Sequence, residues 1–307
     1  MSLLLPLTAV QAEPRRIGEP VSAFAEEVAT ALRDEPASRL VVFPELHLFG
    51  DGYPDRQRTE ALQDSAQPLD GPLVRELQQV AGDLEVWLVP GSICERGPHG
   101  QLFNTALVLS PEGELAASYR KVFPWRPSEP YDPGEEFITV DLQGFGRVGL
   151  SICYDAWFPE VSRQLAWMGA EVILNVVKTT TEDRDHELVL ARASAITNQV
   201  FIVSVNCAGP TGRGQSIIVD PEGNITHRLD GDAPGLLSAH LDLARVEHVR
   251  THGTAGLNRM WSQFRSHETP IELPVYAGRI DPSTWLPQVH SQSGTTHAAD
   301  TEPHPNA

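Results

Sequence analysis

Two eight-residue stretches, Val108-Leu109-Ser110-Pro111-Glu112-Gly113-Glu114-Leu115 and Ile218-Val219-Asp220-Pro221-Glu222-Gly223-Asn224-Ile225, match in pattern and lie about 110 residues apart. Each is an apolar run, a Pro-x-Gly turn and a second run. That reads as a β-hairpin, because Pro presets φ early in the turn and Gly accepts positive φ at its end. The same order of elements precedes both hairpins. Before the first come a buried strand near the start, a helix over 23–33 with Phe24, Val28 and Leu32 on one face, a strand over 40–43, a helix over 73–80 and a strand over 86–89. Before the second come a strand over 148–152 and a helix carrying Val161, Leu165 and Met168. A strand over 172–175, a helix over 183–198 expected to bury Leu188, Ala191, Ala195 and Ile196, and a strand over 200–205 complete the series. A repeat this long is a duplicated half-domain and no solenoid. Two α–β halves, each with an apolar sheet, bury that surface by facing sheet to sheet with helices outside. The expected fold is therefore α/β, a four-layer αββα sandwich built from two similar halves.

The chain has 307 residues, enough for one domain with a substantial core. We expect that domain over 1–285, with its core at about 7–245 and a C-terminal extension over 246–285. In the extension, Leu257, Met260, Trp261 and Phe264 form an amphipathic stretch that either folds back or meets a partner. From 286 to 307 the composition turns to Ser, Thr, His and Pro without apolar periodicity, which predicts a disordered tail. With 41 acidic against 23 basic residues the formal charge is −18, which argues against nucleic acid or anionic membrane as a partner. The first twelve residues have some look of a secretion signal, but no basic residue precedes the apolar run and Pro6 breaks it. The three cysteines, Cys94, Cys153 and Cys207, form neither a disulfide framework nor a CxxC pair, which suits a reducing compartment, the cytoplasm.

Several motifs fail on context. Gly144-Phe145-Gly146-Arg147-Val148-Gly149 fits GxGxxG, but a strand follows where a dinucleotide site needs a helix. His186-Glu187 starts like a zinc-protease helix, yet Leu190 stands where the second histidine belongs. Gly212-Arg213-Gly214-Gln215-Ser216 is not the GxSxG nucleophile turn. What remains are three chemistry-bearing residues at the ends of expected strands: Glu45, Lys121 and Cys153. Strand ends are where open α/β sheets place ligands. Cys153 also enters a turn and a helix, whose peptide N–H groups, with a nearby lysine, would favour its thiolate.

Phe43-Pro44-Glu45, Tyr119-Arg120-Lys121-Val122 and Gly149-Leu150-Ser151-Ile152-Cys153-Tyr154-Asp155, in that order, resemble the signature of the nitrilase superfamily of carbon–nitrogen hydrolases. Pro133-Gly134, Arg192-Ala193 with Asn198, and Gly214-Gln215-Ser216 add to the resemblance, which runs from residue 7 to about 245. It implies an αββα sandwich, a catalytic triad at Glu45, Lys121 and Cys153, and a second glutamate eight residues after the lysine, Glu129. It also implies a homodimer or larger homo-oligomer. The expected reaction is amide hydrolysis through a thioester on Cys153, with the Tyr154 backbone N–H and Lys121 at the oxyanion and no metal or organic cofactor.

Substrate is read from the neighbours of the nucleophile. Nitrile-cleaving branches carry Cys-Trp-Glu, whereas this chain has Cys153-Tyr154-Asp155. Branches acting on N-carbamoyl amino acids often have arginines just after the cysteine; here Ala156 and Trp157 stand there. A neutral, small or aromatic amide is therefore expected, with Trp157 and Lys178 as substrate-binding candidates. Lys178 or Arg184 would supply the charge for an N-carbamoyl substrate or a keto-acid amide. From other classes, a non-catalytic scaffold and an acyltransferase of the same fold stay open.

Overall fold

The computed structural model describes residues 4–50, 55–281, 284 and 287. Its first half contains β1 (Leu4–Gln11), α1 (Val21–Asp34), β2 (Leu40–Val42), α2 (Asp55–Ser65), α3 (Pro72–Asp83), β3 (Trp87–Val89), β4 (Ser92–Arg96), β5 (Leu102–Leu109) and β6 (Leu115–Arg120). The second contains β7 (Thr139–Leu142), β8 (Gly146–Ile152), α4 (Pro159–Trp167), β9 (Val172–Val177), α5 (Arg184–Asn198), β10 (Phe201–Asn206), β11 (Ile217–Val219) and β12 (Ile225–Arg228). β13 (Gly235–Asp242), α6 (Ala244–His252), β14 (Ile271–Leu273) and β15 (Gly278–Ile280) follow. Both Pro-x-Gly hairpins form as expected, β5–β6 and β11–β12.

One sheet has the order β13-β1-β2-β3-β5-β4 with β6 on β5; the other runs β12-β11-β10-β9-β8-β7. In β1 alternation decides the faces: Leu5, Leu7 and Ala9 join the core between the sheets, while Val10 joins the core under the helices. Leu40, Val42, Val89 and Val108 from the first sheet meet Leu150, Ile152, Leu174, Val176 and Val203 from the second. Outside the first sheet, Phe24, Val28, Val74 and Leu77 of α1 and α3 close a second core. Outside the other, Val161, Leu165, Ala191 and Ala195 of α4 and α5 close a third. Helix, sheet, sheet, helix is the four-layer order predicted from the duplication.

Three features differ from the reading of the sequence. β13 is a full strand of the first sheet, antiparallel to β1 from Leu4↔Asp242 to Gln11↔Gly235. It is an edge strand with one face buried, so only Leu237, Ala239 and Leu241 carry its pattern. Helix α5 is rotated from the expected face: Ile196 is 46 % exposed, Leu188 is half-buried, and the inward face is Arg184, Glu187, Ala191, Ala195 and Asn198. Two charged residues lead the buried face, and apolar periodicity is blind to that arrangement. The extension folds back in part. Trp261 is 3 % exposed in the third core, with the guanidinium carbons of Arg163 and Arg250 5.0 and 5.8 Å from its ring centre, whereas Leu257 is 67 % exposed. The predicted disordered tail lies outside the described residues.

Trp261 thus fastens the extension to α4, the helix that follows the Cys153 turn. Trp261→Ala is expected to lower unfolding free energy by about 3–5 kcal/mol, measured by chemical denaturation. A loss below about 1 kcal/mol would mean that the extension rests on the domain without holding it.

Candidate active site

The chain reaches Glu45 through Phe43 and Pro44 just past β2, and the backbone there is pinned. The Phe43 N–H donates to Val89 O at 2.8 Å, and the Leu46 N–H donates to Ser92 Oγ at 3.0 Å. The turn after β3 comes so close that a Cβ on Gly91 would lie 1.7 Å from Pro44 O, so only glycine fits. Lys121 follows β6, its N–H donating to Asn104 O at 2.9 Å and its O accepting from the Gly134 N–H at 2.8 Å. Cys153 follows β8 with φ +47° and starts a 3-10 turn, Cys153–Trp157. A left-handed non-glycine residue is strained by about 1–3 kcal/mol, and persists where its surroundings over-determine it.

Asp155 supplies that constraint. Its carboxylate is fully buried and accepts from the Ile152 N–H at 3.0 Å, the Phe123 N–H at 2.9 Å and the Tyr119 hydroxyl at 2.7 Å. It ties the cysteine turn of one sheet to the strand and loop around Lys121 in the other. The sequence reading used Asp155 only to weigh substrate branches. The signal was present, since an aspartate two residues into a turn commonly caps backbone N–H groups.

The four residues expected at the site converge. Lys121 Nζ donates to Glu45 Oε1 at 3.1 Å and to Glu129 Oε1 and Oε2 at 2.8 and 2.9 Å. Glu45 Oε1 also accepts from Asn104 Nδ2 at 2.8 Å, a buried partner that sequence reasoning missed. Glu129 is held by the Trp125 N–H at 2.8 Å. Lys121 is entirely buried. Burial alone would lower the pKa of its ammonium, but Glu45, Cys153 and Glu129 outweigh it and raise it. Burial raises Glu129 too, aided by Glu45 and opposed by Lys121. Asp155 is pushed up to about 6 by burial, against Lys121 and its three donors.

Cys153 departs from expectation in one respect. Burial, then Glu45, push its thiol well above the usual range, with Glu187 and Glu129 adding to the rise and Lys121 opposing it. Burial and the surrounding carboxylates thus favour the thiol over a standing thiolate, against the lysine.

Cys153 opens on a cavity of about 60 Å³ lined also by Glu129, Trp157, Lys178, Thr179 and Glu187. Trp157 and Lys178, the expected substrate-binding candidates, line this space together with Tyr154. Burial and the charge of Arg58 lower Lys178 to about 8. Arg184 does not serve as the alternative charge. It is 1 % exposed and donates to Glu187 Oε2 at 3.0 Å, Ser204 Oγ at 3.1 Å and Gln215 O at 3.0 Å. Among the described residues no group of three or more His, Cys, Asp or Glu is placed to hold a metal ion.

The chain matches the carbon–nitrogen hydrolase family over residues 7–251. It belongs to that family. This hydrolase is 33 % identical to a formamidase of Pseudomonas syringae pv. syringae (strain B728a) over 235 residues, 73 % of the chain and 66 % of the formamidase. The aligned part thus spans just under two thirds of that relative. Saccharomyces cerevisiae Nit3, a member of branch 10 of the nitrilase superfamily, has a similar structure, with a TM-score of 0.73 and 28 % identity. That match covers 82 % of this chain and 94 % of Nit3. A Glu-to-Gln mutant of the amidase from Nesterenkonia sp. AN1, with the acetamide moiety of fluoroacetamide added covalently at its active site cysteine, matches with a TM-score of 0.66 and 28 % identity. It covers 80 % of this chain and 93 % of the amidase. The nitrilase fold and superfamily inferred from the strand-tip motifs are borne out.

The raised thiol gives a signed prediction. Cys153 should be alkylated by iodoacetamide before Cys94 and Cys207, because it opens on the cavity whereas those two are fully buried. Its rate should keep rising with pH through 9 as thiolate forms. Mass spectrometry of the labelled peptides reads both; a plateau near pH 7 would mean that a thiolate is already present at rest.

Proposed function

We propose that this hydrolase is a cysteine amidase that releases ammonia from a small primary carboxamide through a thioester on Cys153. The observation that carries the reading is the convergence at Lys121 Nζ, 3.1 Å from Glu45 and 2.8 Å from Glu129, beside the cavity that holds Cys153. Glu45 takes the thiol proton as Sγ attacks the carbonyl carbon, then passes it to the departing nitrogen. Lys121 and the Tyr154 backbone N–H stabilise the oxyanion. Glu129 holds Lys121 in place. Water activated by Glu45 then cleaves the thioester, giving the carboxylic acid and free thiol, with no group required beyond these side chains.

Size supports a small substrate. One water needs about 10–15 Å³ by the measure that gives the cavity about 60 Å³, so the space suits roughly four or five non-hydrogen atoms. Similarity to a formamidase and to an amidase points the same way. Lys178 on the cavity wall favours one second reading, an amide that carries a carboxylate, such as an N-carbamoyl amino acid or a keto-acid amide. Ammonia release across formamide, acetamide, a keto-acid amide and an N-carbamoyl amino acid separates the two, because Lys178→Met should cost only the anionic substrates.

We also infer one domain over 1–285 that self-associates. Val189 and Ile196 on the outer face of α5, with Leu257, Val275 and Tyr276 in the extension, are exposed apolar side chains that a second copy would cover. No helix among the described residues is long and apolar enough to cross a membrane, and all three cysteines are free. A reducing cytoplasm suits both facts.

Glu45 and Lys121 should fail differently. With an activated ester, whose leaving group needs no protonation, Glu45→Gln should acylate slowly and then keep the acyl group, because no base activates water. Lys121→Ala should acylate about 100-fold more slowly or worse and remain mostly free enzyme. Intact-protein mass spectrometry distinguishes the outcomes. Amide turnover by Glu45→Gln at close to the parental rate would remove Glu45 from the mechanism.

A further inference from the structure

Thr179 lies just past β9, 6 % exposed, and its hydroxyl faces the sulfur from the second sheet. Its Oγ1 is 3.9 Å from Cys153 Sγ and 2.8 Å from both Glu187 oxygens. Its backbone is fixed as firmly: the Thr179 N–H donates to Asn206 Oδ1 at 2.9 Å, and its carbonyl accepts from Asn206 Nδ2 at 3.2 Å and from the Arg213 N–H at 3.0 Å. Glu187 is 5 % exposed; burial pushes its carboxyl up, but Arg184, whose Nη1 donates to it at 3.0 Å, and the Thr179 hydroxyl both favour its carboxylate. A hydroxyl has one proton. The Glu187 carboxylate takes it, so the oxygen that Thr179 turns toward Cys153 is an acceptor. Only the neutral thiol has a hydrogen to give it.

We propose that Thr179, locked by Glu187 and Arg184, is a positioning residue that accepts the Cys153 S–H and holds the sulfur in one orientation before substrate enters. This rests on the assignment of Cys153 as nucleophile. The charged groups facing the sulfur are Glu45 from the first sheet, Lys121 and Glu129 from the loop after β6, and Glu187 from α5, with Lys178, Thr179 and Asp183 on the same cavity wall. When substrate fills the cavity the thiol turns from Thr179, its proton goes to Glu45, and the electron pair left on Sγ forms the bond to carbon. The proton is thereby kept from ionising early in a pocket rich in carboxylates. The arrangement also explains why a helix that otherwise packs alanines buries the Arg184–Glu187 pair.

The sign of the effect separates this role from a merely structural one. A hydrogen bond donated by S–H stabilises the thiol, so removing the hydroxyl must make the thiolate easier to form while turnover falls. In Thr179→Val, iodoacetamide should label Cys153 about three- to tenfold faster at pH 7, the equivalent of one ordinary hydrogen bond. At the same time kcat/KM for acetamide should drop about tenfold, mainly in kcat, and Thr179→Ser should restore both. Where the valine variant does not fold, Thr179→Ala is read in the same way. Slower or unchanged labelling in the variant that folds would overturn the proposal, as would a serine variant no better than valine. Cys153→Ala is the control for the underlying assignment: if it keeps amide turnover, the nucleophile is wrong, whatever Thr179 does.

Discussion

A fully buried ammonium, Lys121, is the constraint on which the site depends. A charge removed from water is tolerated only when paired and hydrogen-bonded, and here two carboxylates do the pairing, Glu45 and Glu129. The three groups carry one positive and two negative charges, a net charge of −1 beside the thiol. Burial first, and then that sum, disfavour a second anion and push the Cys153 thiol up despite a lysine nearby. The sum also indicates how a thiolate becomes affordable: moving the thiol proton onto Glu45 leaves the total unchanged and sets the new anion within reach of Lys121. In the proposed reaction, attack and proton transfer are therefore coupled by electrostatics.

Those distances depend on how the two sheets stack. Glu45, Asn104 and Lys121 belong to the first half, and Cys153, Thr179 and Glu187 to the second, so no half holds the constellation alone. The apolar core between the sheets supplies the contact. Asp155 supplies the registry, taking the Tyr119 hydroxyl from the first sheet and the Ile152 N–H beside the nucleophile. β13 adds a topological tie, since the chain leaves the second sheet and pairs along the whole of β1. A shift between the sheets would break the buried bonds of Asp155 before it disturbed much apolar packing.

The residues legible in the sequence were those whose chemistry is announced locally. Glu45, Lys121 and Cys153 each stand at the end of an expected strand, and the duplicated hairpins gave the layer order. What stayed hidden shares one property, that meaning comes from a distant partner. Asn104 is an ordinary strand asparagine until Glu45 arrives from 59 positions away. Arg184 was weighed as a charge for substrate and Glu187 as a piece of a failed zinc motif, so neither entered the buried face of α5 and Ile196 was placed inside. The upward push on Cys153 was hidden similarly: turn amides and a lysine are visible in one dimension, whereas the burial and the three glutamates that oppose them arise only in three.

The same charge balance bears on what enters and leaves. A neutral carboxamide gives up little hydration on reaching a wall that includes Glu129 and Glu187, and its N–H groups find acceptors there. An anionic substrate would need compensation, and Lys178, lowered to about 8 by burial and Arg58, is the cation on that wall able to give it. In the proposed reaction, hydrolysis of the thioester gives a carboxylic acid, which is ionised at neutral pH. The carboxylates that tolerated the neutral amide then repel the product. On the proposed function, an excess of buried negative charge would favour a neutral amide over its acid, the same imbalance that helps push the Cys153 thiol up.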